Sequence, residues 1–159
     1  MSEEIIKFTA SALIWIMFGG LFVLWVVDGK IKKEQVIHAL ASAVIAWILA
    51  AFIKDLFHTT RPYVVDGSKA LVFWIVSTNN GAFPSGHAAA SFAMAFTVWL
   101  HDKKIGFFYI LTAILIGVAR VLGNVHYPID ILGGATLGIF IAFVIEKIHF
   151  FEILSRLRK

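Results

Sequence analysis

Five stretches of this chain run for fifteen residues or more with almost no charge, and in 159 residues they leave room for little else. The first covers about Ile5 to Val27 with Lys7 its only charge, the second Gln35–Ile53, the third Ser85–Leu100, the fourth Ile105–Ala119 and the fifth Ile131–Ile145. Crossing a hydrocarbon core of about 30 Å takes roughly 20 helical residues, with about 17–25 the usual range. In lipid the backbone must satisfy its own polar groups, and no alternating, turn-punctuated pattern suggests a barrel, so the stretches read as helices. Composition agrees: 60% of residues are hydrophobic and 15% charged, against about 45–50% apolar in a soluble domain. The fold class expected is all-α, an integral membrane helical bundle of about five transmembrane helices forming one domain over residues 1–159.

The formal charge is +4, but the basic residues are placed rather than scattered, so nucleic acid is not indicated as a partner; the bilayer is. With no cysteine, disulfides, thiolate nucleophiles and Cys-ligated metals are all excluded. The acidic leader Met1-Ser2-Glu3-Glu4, without a small-residue cleavage motif after the apolar run, predicts a retained span rather than a signal peptide. In a five-helix zigzag, Lys30, Lys32, Lys33, Lys103, Lys104, Lys147, Arg156, Arg158 and Lys159 fall on one side, and Lys7, Lys54, Arg61, Lys69 and Arg120 on the other. The positive-inside rule then predicts an outside N-terminus and a cytoplasmic C-terminus. Oligomeric state is not set by the sequence.

Between the helices, residues 101–104 predict a tight hairpin, whereas Lys54 to Pro84 predicts a long outer loop holding Tyr63, Phe73, Trp74 and the run Ser77-Thr78-Asn79-Asn80-Gly81. Ionisable groups at membrane depth are costly and are functional suspects. Here Lys54, Arg61, His87, Arg120, His126 and Asp130 all fall at helix ends on the same outer face, with Pro62, Pro84 and Pro128 beside them.

Three permanent cations converging on an apolar rim suit a phosphate dianion. Arg61 and Arg120 present bidentate forks and Lys54 a point charge. Pro84-Ser85-Gly86-His87 opens a helix whose free backbone N–H groups form an anion site that Gly86 lets a ligand approach closely. Asp130, four residues after His126, can accept from Nδ1–H and hold the ring with Nε2 free, and His87 on another helix completes an acid–base pair.

Lys54-x6-Arg61-Pro62, Pro84-Ser85-Gly86-His87 and Arg120-x5-His126-x3-Asp130 resemble the three signature motifs of the type 2 phosphatidic acid phosphatase family, which includes bacterial polyprenyl diphosphate phosphatases and vanadium haloperoxidases. The similarity covers roughly residues 40–145. It implies a metal-independent, cofactor-free phosphatase acting on a lipid phosphate or diphosphate through a phosphohistidine. In that scheme His126 is the nucleophile, Asp130 orients it, and His87 protonates the leaving group. Lys54, Arg61, Ser85, Gly86 and Arg120 would bind the phosphate. The choice of His126 over His87 as nucleophile rests on this resemblance.

The chain departs from the family pattern at Ala119, where serine is usual, and at Asn124, where glycine is usual, Gly123 standing one place earlier. Asn tolerates a left-handed backbone better than other non-glycine residues, whereas Ala119 forgoes a hydroxyl contact. Many membrane members have six spanning helices, one more than read here. Ser85–Leu100 gives only roughly 24 Å of helix, which sets the Ser85 end slightly below the outer interface and suits a headgroup reached sideways between helices. Undecaprenyl diphosphate is the first substrate expected, then phosphatidate, phosphatidylglycerophosphate or lipid A phosphate. A membrane anion transporter and an inactive scaffold are the rival classes.

Other features read as structural. His58 caps or lines the loop, His38 and His149 are interfacial, and His101 belongs to the connector. Ala39/Ala43, Ser42/Ala46/Ala50 and Gly134/Gly138 read as close helix packing. Trp15, Trp25, Trp47 and Trp99 read as packing or interface anchors, with substrate stacking the minority reading, and Arg156 to Lys159 as a topology signal.

Overall fold

A computed structural model describes residues 2–27, 33–73 and 81–157, with side chains through residue 148. Lys30, Lys32, Trp74, Ser77 to Asn80, Arg158 and Lys159 lie outside the described residues, as do the side chains of His149 and Arg156. The elements are α1 (Glu3–Ser11), α2 (Leu13–Val26), α3 (Lys33–Phe57), α4 (Pro62–Asp66), α5 (Gly86–His101), α6 (Lys103–Leu122) and α7 (Pro128–Leu157), with no strand among the described residues.

Helices α3, α6 and α7 are long and apolar enough to cross a bilayer. The expected first span is broken: α1 and α2 meet at a 45° bend, and the two taken as one span make a fourth crossing. The Trp15 amide donates to the Ala12 carbonyl, one step tighter than the α-helical ladder, and Ser11 Oγ accepts from the Phe73 amide, so the chain turns where the sequence shows unbroken apolar residues. Helix α5, with 16 residues, is the short central member. Large side chains including Trp15, Phe22, Phe52, Phe107 and Phe140 point away from the bundle, as they do when the surrounding solvent is lipid. The chain is an all-α integral membrane protein.

Small residues let the other helices close on α5. Its buried residues include Ala88, Ala89, Ala90, Ser91, Ala93 and Ala95, of which Ala90 and Ala95 cluster with Ala39 and Ala43 of α3, and Ala89 and Ala93 with Ala46 and Ala50. Lipid tails are as apolar as leucine, so helices associate by van der Waals fit, and small faces fit closest. A Cβ on Gly134 would run into the Ser85 carbonyl and one on Gly138 into the Ala89 carbonyl, so the α5–α7 crossing requires glycine at both places. Residues 101–104 make the tight turn expected, with Asp102 accepting from the Ile105 amide at 2.9 Å to cap α6.

At the end of the bundle away from the Ser85 helix start, His38 Nδ1 and His101 Nε2 each stand 3.1 Å from Glu146 Oε1, joining α3, α5 and α7. His38 and His101 are therefore also partners of one carboxylate, a contact that the sequence did not indicate.

Candidate active site

All eight residues singled out in the sequence lie at one end of the bundle, where α3 and α6 finish and α5 and α7 begin. Backbone hydrogen bonds fix these ends against each other. The Ser85 amide donates to the Asp130 carbonyl at 2.9 Å, linking the starts of α5 and α7. Thr59 takes two further bonds, its carbonyl from the Ala82 amide and its Oγ1 from the Phe83 amide, both at 2.8 Å. Tyr63 donates to the Asn124 carbonyl at 3.1 Å and Leu71 to the Gly123 carbonyl at 2.9 Å. Of the expected long loop, residues 58–73 are thus a structured strap, carrying α4 and bonded to the turn before His126.

Both guanidinium groups are held from behind. Arg61, 4% exposed, donates from Nη1 to the Val125 carbonyl at 3.1 Å and from Nη2 to the Gly81 carbonyl at 3.4 Å. Arg120, 5% exposed, donates from Nη1 to the Ala10 carbonyl of α1 at 3.2 Å, and its buried Nε has no partner among the described residues. A buried guanidinium edge without an acceptor carries a desolvation cost that an anion would relieve. Lys54 is half-buried near Gly86: a Cβ there would stand 4.0 Å from Nζ. The charges of Arg61, Arg120 and Asp130 all act on Lys54.

The start of α5 supplies backbone donors, although fewer than an open helix start would. Ser85 is the N-cap and is fully buried; its Oγ accepts from the Ala88 amide at 3.4 Å and its carbonyl from the Ala89 amide at 2.9 Å. With the Ser85 amide already bonded to Asp130, the Gly86 and His87 amides are the donors left for a ligand.

His126 is 1% exposed, in the turn between α6 and α7. Its Nδ1 stands 3.2 Å from Asp130 Oδ2, the same oxygen that accepts from the Tyr127 amide at 2.8 Å. In the Nδ1–H tautomer the ring is oriented by that carboxylate and Nε2 carries the lone pair. Burial first, and then the charges of Arg120, Lys54 and Arg61, hold the His126 imidazole well below the ordinary histidine range, against a smaller opposing backbone bond to Ala82. The ring is therefore neutral at neutral pH, the form a nucleophile needs. His87, in the first turn of α5, feels the charges of Arg120, His126, Lys54 and Arg61, so both imidazoles face one cluster of cations.

Asn124 adopts a left-handed conformation, φ 58°, the position at which the sequence departs from glycine. Its Nδ2 donates to Asp66 Oδ2 at 2.8 Å and to Ser68 Oγ, joining the His126 turn to the end of α4. Ala119 is buried and its carbonyl accepts from the Gly123 amide at 2.8 Å. His58 sits exposed at φ 44° after α3, its amide donating to the Lys54 carbonyl at 3.1 Å, which is a capping role. The contributions of Ala10 and Asn124 to the site have no sequence signature: one is a backbone carbonyl and the other a tertiary clamp.

Two cavities meet at this end. One, about 240 Å³, is lined by Trp47, Ala51, Lys54, Asp55 and Gly86. The other, about 520 Å³, lies between α2, α3 and α5 and is apolar except for His87.

With this geometry, the chain belongs to the PAP2 superfamily, whose sequence pattern matches residues 35–153. It is 28% identical over 144 residues to the bacitracin transport permease protein BcrC of Bacillus licheniformis, covering 89% of this chain and 69% of that protein. It is 25% identical over 124 residues to the undecaprenyl-diphosphatase BcrC of Bacillus subtilis, covering 78% of this chain and 63% of that one. The chain thus spans about two thirds of the length of these relatives. The crystal structure of Aquifex aeolicus LpxE superposes with a TM-score of 0.67 at 25% identity, covering 85% of this chain and 81% of that one.

Proposed function

We propose that this chain, acting as one membrane domain, is a phosphatase that releases phosphate from a lipid phosphate or diphosphate, with undecaprenyl diphosphate as the first substrate. The observation that carries the proposal is the buried His126–Asp130 pair set among three cations with His87 beside them. Neutral His126 attacks the terminal phosphorus through Nε2, the bond to the leaving oxygen breaks, and that oxygen takes a proton from His87. For a diphosphate the leaving group is the lipid monophosphate. Water then attacks the phosphohistidine, giving its proton to His87 and releasing inorganic phosphate.

Arg61, Arg120, Lys54 and the Gly86 and His87 amides stabilise the charge spread over the equatorial oxygens in transfer, and Ser85 supports them as the cap of that helix start. The cations carry charge that a transporter for anions would also use, but a transport site has no need of a nitrogen nucleophile held by a buried carboxylate. The site is assigned to the extracytoplasmic face and the C-terminus to the cytoplasm on the nine-to-five bias of basic residues.

The test is phosphate release from a panel of lipid phosphates in detergent by the native protein and by His126→Ala and His87→Ala. Loss of release in both variants with unchanged thermal unfolding supports the reading, and an acid-labile phosphoenzyme should form with native protein but not with His126→Ala. Unchanged release in His126→Ala overturns it. Because the chain has no cysteine, Lys69→Cys labelled by an impermeant thiol reagent on intact cells reports the orientation.

A further inference from the structure

Trp47 lines both cavities at the site, the charged one with Lys54 and Gly86 and the apolar one with His87. Its pyrrole edge lies against the start of α5: a Cβ on Gly86 would stand 3.0 Å from Trp47 Cδ1 and 3.3 Å from Nε1. The apolar cavity has a buried floor of Ile14, Ala43 and Ala90, and its rim, Trp15, Val44 and Trp47, is exposed on the lipid side of the bundle.

We propose that Trp47 is a specificity-determining residue, a partition between phosphate and tail that admits a substrate with a single chain and disfavours one whose two long chains divide next to the phosphate. The inference rests on the lipid-phosphatase reading. His87, the group proposed to protonate the leaving oxygen, lines the apolar cavity, so the leaving lipid lies on that side and the transferred phosphoryl group on the Lys54 side. The chain joining them has to pass the indole. A polyprenyl phosphate or diphosphate is a single chain at that point, whereas a diacylglycerol phosphate branches within a few atoms of its phosphate, where the ring stands.

At about 520 Å³ the apolar cavity is in the range of roughly 300–1,000 Å³ that holds a drug-sized ligand. That is room for the first stretch of one tail, the remainder staying in the bilayer. The glycine at position 86 fits the same picture, because a side chain there would push the indole out of the junction. Trp47 lies outside the three phosphate-site motifs and is 55% exposed toward lipid, so losing the ring leaves no large hole in the bundle core.

The experiment measures kcat/KM of native protein, Trp47→Ala, Trp47→Val and Trp47→Phe with three substrates: a polyprenyl diphosphate, a diacylglycerol phosphate, and a water-soluble aryl phosphate without a tail. In Trp47→Ala and Trp47→Val the diacyl-to-polyprenyl ratio should rise about tenfold or more, the lower end of what one methylene in an apolar pocket discriminates. The aryl phosphate has no chain to pass the ring, so its kcat/KM reports whatever the substitution does to the phosphate site itself, and the rise in the diacyl-to-polyprenyl ratio should exceed that change. Trp47→Phe keeps a flat ring and should preserve the native ratio. Trp47→Val guards against an alanine variant that does not fold.

A ratio unchanged in both ring-deleted variants that still hydrolyse the aryl phosphate overturns the inference and leaves the phosphatase reading standing. Native protein that releases phosphate from none of the three overturns both.

Discussion

Asp130→Asn separates two roles that the carboxylate could play toward His126. In the native site one oxygen, Oδ2, stands 3.2 Å from His126 Nδ1 and accepts from the Tyr127 amide at 2.8 Å. An asparagine with its amide oxygen in that place can accept both bonds, so the ring keeps its orientation and tautomer while the negative charge is lost. That charge matters once Nε2 bonds to phosphorus, because the ring then becomes positive. Two unit charges about 4 Å apart at an effective dielectric near 20 interact by roughly 4 kcal/mol. At about 1.4 kcal/mol per tenfold, the substitution should lower the rate of phosphohistidine formation by about a thousandfold. A quench-flow measurement of phosphoenzyme in the first turnover reads this directly, and thermal unfolding shows whether the bundle is intact. Formation within tenfold of native would refute the electrostatic role and leave Asp130 as a positioning residue alone.

Three further outcomes follow from the same geometry. Arg120→Lys keeps the charge but not the fork, and a compact ammonium cannot place its donors as far apart as a guanidinium that holds the Ala10 carbonyl with one nitrogen and offers its other N–H groups to a phosphoryl oxygen. The loss of one charge-assisted hydrogen bond, about 1.5–3 kcal/mol, should lower kcat/KM by roughly 10–150-fold, and a variant within threefold of native would remove Arg120 from the site. Because the His126 pKa is lowered from 6.5, its ring sheds the proton at a lower pH than an ordinary histidine. The acid limb of kcat/KM should therefore lie below pH 6.5, and a limb at or above that value would contradict the buried, cation-flanked ring. Gly138→Val drives a side chain into the Ala89 carbonyl, which cannot move without breaking α5. An overpacking cost of about 1–3 kcal/mol corresponds to a Tm lower by roughly 2–12 °C, and an unchanged Tm would mean that the α5–α7 contact is looser than described.

The membrane class and the gathering of the polar residues could be read in advance because lipid leaves charge few places to go. Lys54, Arg61, Arg120 and Asp130 had to collect at a helix end, and the alternation of helix directions put those ends together. The spacing from His126 to Asp130 carried the pair on a single turn. Features that depend on tertiary approach left no such trace. The bend at Ala12 occurs inside a continuous apolar run, so hydropathy passes through it. The Arg120 anchor is the carbonyl of Ala10, and any residue type has one. The meeting of His38, His101 and Glu146 depends on three helices bringing these positions to the same depth. Short α4 was hidden because five residues starting at Pro62 read equally well as loop. Trp47 was indistinguishable from an interface anchor until two cavities proved to share it in their lining.

Those cavities also bear on how a turnover ends. Inorganic phosphate is hydrophilic and the lipid product keeps its greasy chain, so in the proposed reaction they part toward different media, phosphate from the cavity lined by Lys54 toward water and the lipid from the cavity rimmed by Trp15 and Val44 toward the leaflet. Neither departure obstructs the other, and their order is set by the chemistry: the lipid goes first, because water has to take the place of its oxygen beside His87 before phosphate can form.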